Sequence, residues 1–131
     1  MCEKIVEYLG EIDIDVIKSE FGEIQTSDII LTDERKQHII EKHPDDYMLF
    51  QKHCKDILEN PDIILKDRKN ENTILVIKHI EETNMNIIIK LAVTIDEKHT
   101  KNSVMTAYRV RDKNVKKLEK NNKVLYKNDE M

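Results

Sequence analysis

The chain contains no tryptophan, two phenylalanines and four tyrosines in 131 residues, so aliphatic side chains must fill its interior. Two glycines and two prolines leave few forced turns, and connections must use Asn, Asp and Lys instead. Two glycines also cannot build a glycine-rich phosphate loop. Cys2 and Cys54 are too few and too scattered for a disulfide framework, which points to a reducing compartment. No apolar run approaches the length of a membrane span, and no signal peptide is read ahead of the acidic start. The expectation is one cytoplasmic domain over 1–131, long enough to bury a core and without membrane contact. There is no HExxH pair and no serine-centred nucleophile elbow. His38 and His43 are five apart, off the spacing of a helical zinc pair, so neither a metal nor another cofactor is expected.

Charge is abundant at 37% of residues, and its distribution matters more than its sum of −4. Residues 1–65 carry seven Lys or Arg against sixteen Asp or Glu, whereas residues 98–127 carry ten against two. An acidic total argues against a polyanion partner, but local potential governs binding, so the basic stretch reopens that reading. The plain alternative is that it complements the acidic half within the fold.

The most informative stretch is Leu31–Pro44, L-T-D-E-R-K-Q-H-I-I-E-K-H-P. Thr32 can cap a helix, and Asp33 and Glu34 suit the positive end of its dipole. His43 closes it, because Pro44 disfavours the α region for the residue before it. At about 100° per residue, Arg35, His38, Lys42, Ile39 and His43 share one half of the helix, with the histidines roughly 140° apart. Imidazoles among fixed cations can move protons beside a phosphate. The same residues could equally form a solvated helix face anchored by Ile39 and Ile40.

Elsewhere the period assigns elements. Ile5–Leu9 and Ile12–Ile17 read as short strands, and Ile29–Leu31 as a brief strand leading into the first helix. A second helix runs from Asp45 to about Glu59, with Tyr47, Phe50, Cys54, Ile57 and Leu58 as a core stripe. Cys54 lies within that stripe, so it reads as a buried thiol rather than a nucleophile. Strands follow at Asp62–Lys66, Thr73–Glu81, Asn86–Ile95 and Ser103–Val110, with turns at Arg68–Asn72, Glu82–Met85 and Asp96–Asn102. Short links between them predict an antiparallel meander. Asp112–Asn121 reads as a basic helix and Lys123–Lys127 as a last strand or tail. Lys113, Lys116 and Lys117, at i, i+3 and i+4, would present one basic face. The fold class is therefore α+β, with two consecutive helices on an antiparallel sheet of four to five strands.

Strand parity groups Lys78 with Ile74, Val76 and Ile80, Lys90 with Ile88, Ala92 and Thr94, and Thr106 with Val104, Tyr108 and Val110. A lysine inside an isoleucine run must reach either solvent or an anion.

The H-I-x-x-x-H-P helix, the helix ending I-L-E-N-P-D, the Ile-rich strands, V-M-T-A-Y-R-V and the terminal V-L-Y-K together resemble one group of domains. These are the phage-associated barnase–EndoU–colicin E5/D–RelE-like nucleases. The resemblance covers about 29–127 and leaves 1–28 as a short extension. It implies a metal-independent ribonuclease fold of the kind found in prophages and toxin systems. Its helix motif maps onto Arg35, His38 and His43, and its strand motif onto Thr106 and Tyr108. For RNA cleavage, with tRNA among the candidate substrates, His38 is the leading acid/base and His43 a second or a structural histidine. Arg35 and Lys90 would stabilise phosphate charge, Thr106 and Tyr108 would position, and Lys42, Lys113, Lys116 and Lys117 would hold RNA. The competing reading is a non-catalytic binding protein, namely an immunity- or antitoxin-like partner or an inactive phage accessory, working through the acidic half. Within the nuclease reading, an immunity or antitoxin protein would be the cognate inhibitor.

Overall fold

A computed structural model describes residues 6–93 and 101–128. Among these residues seven strands form one sheet: β1 (Val6–Glu11), β2 (Asp28–Thr32), β3 (Ile63–Lys66), β4 (Thr73–Ile80), β5 (Thr83–Lys90), β6 (Asn102–Val110) and β7 (Lys123–Lys127). Their order is β1-β2-β6-β5-β4-β3-β7, antiparallel throughout except for β2 beside β6. The β3–β6 meander agrees with the short polar links. The sheet itself is larger than the expected four to five strands, and mixed, because β2 and β7 add to the two sides of that meander.

The described residues also form four α-helices: a one-turn α1 (Lys18–Phe21), α2 (Asp33–Lys42), α3 (Pro44–Glu59) and α4 (Asp112–Asn121). On one sheet face, Ile39 of α2 and the α3 stripe Tyr47, Phe50, Cys54, Ile57 and Leu58 pack on Ile64, Ile74, Val76, Ile87 and Ile89. On the other, Val115 of α4 packs against Ile63, Leu65, Leu75, Ile77 and Val110. Among the described residues no helix is long and apolar enough to cross a membrane.

Three sequence expectations are corrected. Ile12–Ile17 is not a strand. Asp13 accepts from the Asp15 N–H at 3.0 Å and starts a 3-10 turn at Ile14–Val16 that leads into α1. Ile12 and Ile17 are nevertheless buried, so the apolar residues were core without being extended. The β4–β5 connection is not Glu82–Met85 but Glu81 and Glu82 alone, both at positive φ (41° and 70°). Such two-residue hairpin loops match the twist of the flanking strands. Strand β5 consequently starts at Thr83 and ends at Lys90. Ala92 follows it, and Thr94 and Ile95 lie outside the described residues, as do Ile5 and most of the expected Asp96–Asn102 turn.

The third correction concerns parity. Ile88 pairs with Thr106 but Ile89 pairs with Val104, so Met105 is an extra residue, a β-bulge. Val104 therefore packs in the α3-side core, while Thr106, Tyr108 and Val110 turn to the opposite face beside Ile88. The predicted shared face of Val104 and Thr106 is broken by that single residue.

A buried asparagine joins the sheet at the start of β6. Asn102, fully buried, accepts from the Ala92 N–H at 2.8 Å and donates to the carbonyls of Thr26 (2.6 Å) and Asp28 (3.1 Å). The parallel β2–β6 pairing, Ile29 with Asn102 and Ile30 with Ser103, begins at this point.

Candidate nucleic-acid cleavage site

Strand β2 pairs with β6 through Ser103 and no further. The chain then turns at Thr32, whose Oγ1 accepts from the Arg35 N–H at 3.3 Å, and enters α2. Ile39, fully buried, fixes the rotation of that helix. Arg35 and His38, one turn apart, consequently point past β6 to the sheet face turned outward by the Met105 bulge. Beyond them the N-terminus of α3 covers the rest of this strand edge. There the Asp46 carboxylate accepts from the Arg109 backbone N–H at 3.1 Å and also binds its guanidinium.

The result is a cavity of about 560 Å³ lined by Thr32, Arg35 and His38 from the helix side, Ile88 and Lys90 from β5, and Ser103, Met105 and Thr106 from β6. Asp67, Asn70 and Thr73 close its far wall. Thus four of the six residues singled out for catalysis, Arg35, His38, Lys90 and Thr106, share one concave surface. The Arg35 guanidinium forms no ion pair with any described residue. The Lys90 ammonium donates to the Glu71 carbonyl at 2.9 Å, which holds it in place without neutralising it. The Asp67 carboxylate is committed to its own turn, accepting from the Lys69 N–H and the Asn70 amide. Thr106 Oγ1 is buried and has no hydrogen-bond partner among the described residues. A buried unsatisfied hydroxyl carries a cost that a bound acceptor or donor would relieve.

His43 and Tyr108 stand one step along β6. His43 caps the end of α2 with non-helical angles (φ −139°, ψ 60°), and its ring meets the Tyr108 ring at 5.5 Å between centroids. His43 Nδ1 lies 4.0 Å from Asp46. The Tyr108 hydroxyl accepts from the amide of fully buried Asn86 at 3.4 Å, which leaves its own proton free to donate. Neither histidine-to-cavity distance nor ring tilt could be read from the helix motif. The two imidazoles reach the same strand because the chain leaves helical geometry at His43.

Of the proposed RNA-holding lysines, Lys117 lines a second cavity with Tyr108, Asn114, Leu118 and Asn121 on the same sheet face. Lys42, Lys113 and Lys116 are exposed and line neither cavity. None of these four lysines is ion-paired among the described residues. By contrast, Lys123 binds Glu20 at 2.6 Å, Lys127 binds Glu119 at 2.9 Å and Arg109 binds Asp46. The basic stretch is therefore divided, with part serving the fold and part left open.

Residues that the sequence did not mark include Thr32, Thr73, Ser103, Asn86 and Asp46. Strand register and the bulge bring Thr73, Ser103 and Asn86 there, whereas Thr32 arrives as the cap of α2 and Asp46 in the first turn of α3. Lys78 is elsewhere, donating to the Asn60 carbonyl at 2.7 Å near the end of α3. Cys54 is buried, and burial pushes its thiol pKa up, which disfavours a thiolate. Among the described residues no three His, Cys, Asp or Glu side chains gather as a metal-binding group.

A family model described as phage-Barnase-EndoU-ColicinE5/D-RelE like nuclease3 matches residues 4–117. The match begins well before residue 29, where the sequence resemblance began, and takes in β1 and the α1 segment. No curated protein and no solved structure matches the chain.

Proposed function

The chain belongs to this family of nucleases, and on that premise we propose that it is a metal-independent endoribonuclease whose reaction takes place in the Arg35–His38–Lys90–Thr106 cavity. The observation that carries the reading is the convergence on one open surface of an imidazole, two cations and a hydroxyl, the cations without carboxylate partners and the hydroxyl unsatisfied among the described residues.

RNA supplies its own nucleophile. The 2′ oxygen attacks phosphorus as its proton leaves to a base, and the P–O5′ bond breaks as the 5′ oxygen takes up a proton. The products are a 2′,3′-cyclic phosphate and a 5′-hydroxyl. Histidine titrates near neutrality and suits either proton transfer. His38 carries one of them, and the other proton is exchanged with water in the open cavity. Arg35 and Lys90 meet the charge that builds on the non-bridging oxygens, where fixed cations need no reorganisation. Thr106 donates to one of those oxygens and so satisfies its own hydroxyl. Tyr108, oriented by His43 and Asn86, donates to the adjacent nucleotide.

Purified protein incubated with tRNA and with total RNA, each with and without EDTA, tests this. The expected result is fragments ending in a cyclic phosphate whose yield is unaffected by EDTA. Intact RNA under all four conditions would contradict the proposal and favour a non-catalytic binding role. The same assay repeated with candidate inhibitor proteins addresses an immunity or antitoxin partner.

A further inference from the structure

The cavity beside α4 has no role in the chemistry above. It measures about 300 Å³ and lies between β6 and the helix. Its walls are Tyr108, Leu118, Asn114, Asn121 and Lys117, completed by Val110 and by Arg109, whose guanidinium is bound to Asp46. Asn114, Lys117 and Asn121 are spaced i, i+3 and i+7 and so form one stripe along α4. Val115, on the flank of that stripe, is buried in the second core with Leu118 packed against it, which fixes the rotation of the helix.

Neither carboxamide makes a side-chain hydrogen bond to a described residue, and Lys117 has no described ion-pair partner. Each carboxamide offers both donors and an acceptor in one plane. A flat apolar wall, an aromatic ring and in-plane donors and acceptors together match a purine or pyrimidine base. An inorganic anion would use only Lys117 and Arg109, the latter already bound to Asp46, and would leave the ring and the carboxamides unused. Position along the strand agrees. Tyr108 follows Thr106 by two residues on the same face, roughly 6.6 Å along β6 at the usual strand rise. That is about the reach from a phosphate to the base of a neighbouring nucleotide in a single strand.

We propose that this cavity is a nucleobase subsite, occupied by the base next to the cleaved phosphate, stacked on Tyr108 and hydrogen-bonded by Asn114 and Asn121. The phosphate beyond it is held by Lys117. The inference rests on the nuclease reading and deepens it, because a base can enter only if it is unstacked from a duplex. The substrate is therefore single-stranded RNA or a loop, the form in which proteins read RNA bases.

The test uses DNA oligonucleotides containing a single ribonucleotide, so that the lone 2′-hydroxyl fixes the point of cleavage. An abasic residue is placed on either side of it. The wild type should lose about ten- to a hundredfold in kcat/KM when the base is missing on one side, as expected for removal of a stacked base. N114A/N121A should lose part of that factor on the intact strand, show a wild-type melting curve, and be less sensitive than the wild type to the abasic residue, the stacking on Tyr108 being retained. If abasic and intact strands are cleaved alike by both proteins, or if the two effects multiply, the subsite is overturned while the nuclease reading stands. If the wild type cleaves no strand, the nuclease reading fails, and fluorescence anisotropy on the same strands judges the subsite alone. Tighter binding of the intact strand by the wild type, with a smaller preference in N114A/N121A, then supports it, and equal binding overturns it.

Discussion

The imidazole of His43 lies against the ring of Tyr108, with centroids 5.5 Å apart and planes inclined by 37°. One residue at a helix junction thereby fixes an aromatic side chain on the strand that floors the candidate site. Pro44 is the cause. It opens α3 and forces His43 out of helical geometry, so the ring leaves the helix surface where spacing alone would have put it.

His43→Ala should therefore lower both properties, stability by about 1 kcal/mol through the lost ring contact and cleavage by roughly tenfold through a freed Tyr108. His43→Phe separates packing from proton transfer. If His43 positions Tyr108, Phe should restore the melting temperature and most of the activity. A Phe variant as stable as the wild type but as inactive as Ala would make His43 a proton-transfer group instead.

Asn102 joins three backbone groups from separate segments. Asn102→Ala leaves one buried N–H unpaired and withdraws the amide donors from two carbonyls. Urea titration should show a loss of about 3–4 kcal/mol, given the usual cost of unsatisfied buried groups. A loss under ~1 kcal/mol would mean that water replaces the amide at little cost.

Glu20 receives hydrogen bonds from Lys66 (2.8 Å) and Lys123 (2.6 Å), tying α1 to β3 and β7. Lys123 first and Lys66 second hold its carboxyl at about 2, below the ordinary 4.5. A depressed folded-state pKa contributes stability above the unfolded value and loses it as pH falls through the folded one. Thermal melts should therefore weaken between about pH 4.5 and 2, the interval between those two values. Glu20→Gln should melt earlier at pH 7 and lose part of that acid dependence. Parallel pH profiles for the two proteins would remove this tie from the account.

Salt should report the open cations. Binding of single-stranded RNA should weaken with a log–log slope of about −0.7 per phosphate contacted. Lys117→Gln should flatten the slope by about 0.7, and adding Lys113→Gln and Lys116→Gln by up to about two in all. Lys18 and Lys36 pair with Asp15 and Glu7, so neutralising them should change it little. An unchanged slope in the triple variant would show that α4 does not face the RNA.

Much of this architecture is legible in the sequence where a periodic pattern extends over several turns. The α3 stripe from Tyr47 to Leu58, the Thr32 cap and the bounds of α4 and β7 follow from spacing and end signals alone. Ile12–Ile17 misleads because β-branched residues suggest a strand, whereas Asp13 captures a local backbone N–H and turns the chain. The helix half of the site, Arg35 and His38 one turn apart, is visible in its motif. The strand half is not. Which face Thr106 and Tyr108 take depends on one unpaired residue, Met105, and a bulge has no short-range signature here. Asn86 and Asn102 are hidden for a related reason, because a buried asparagine in a strand is recognisable only by its distant partners.

Single-turnover cleavage of one RNA by wild type and His38→Ala decides whether His38 moves a proton in RNA cleavage. The variant's rate should be lower by about 10²–10⁴-fold, as for loss of a general acid or base, with melting curve and RNA affinity unchanged. Cleavage by His38→Ala at the wild-type rate, in a variant with the wild-type melting curve, would contradict it.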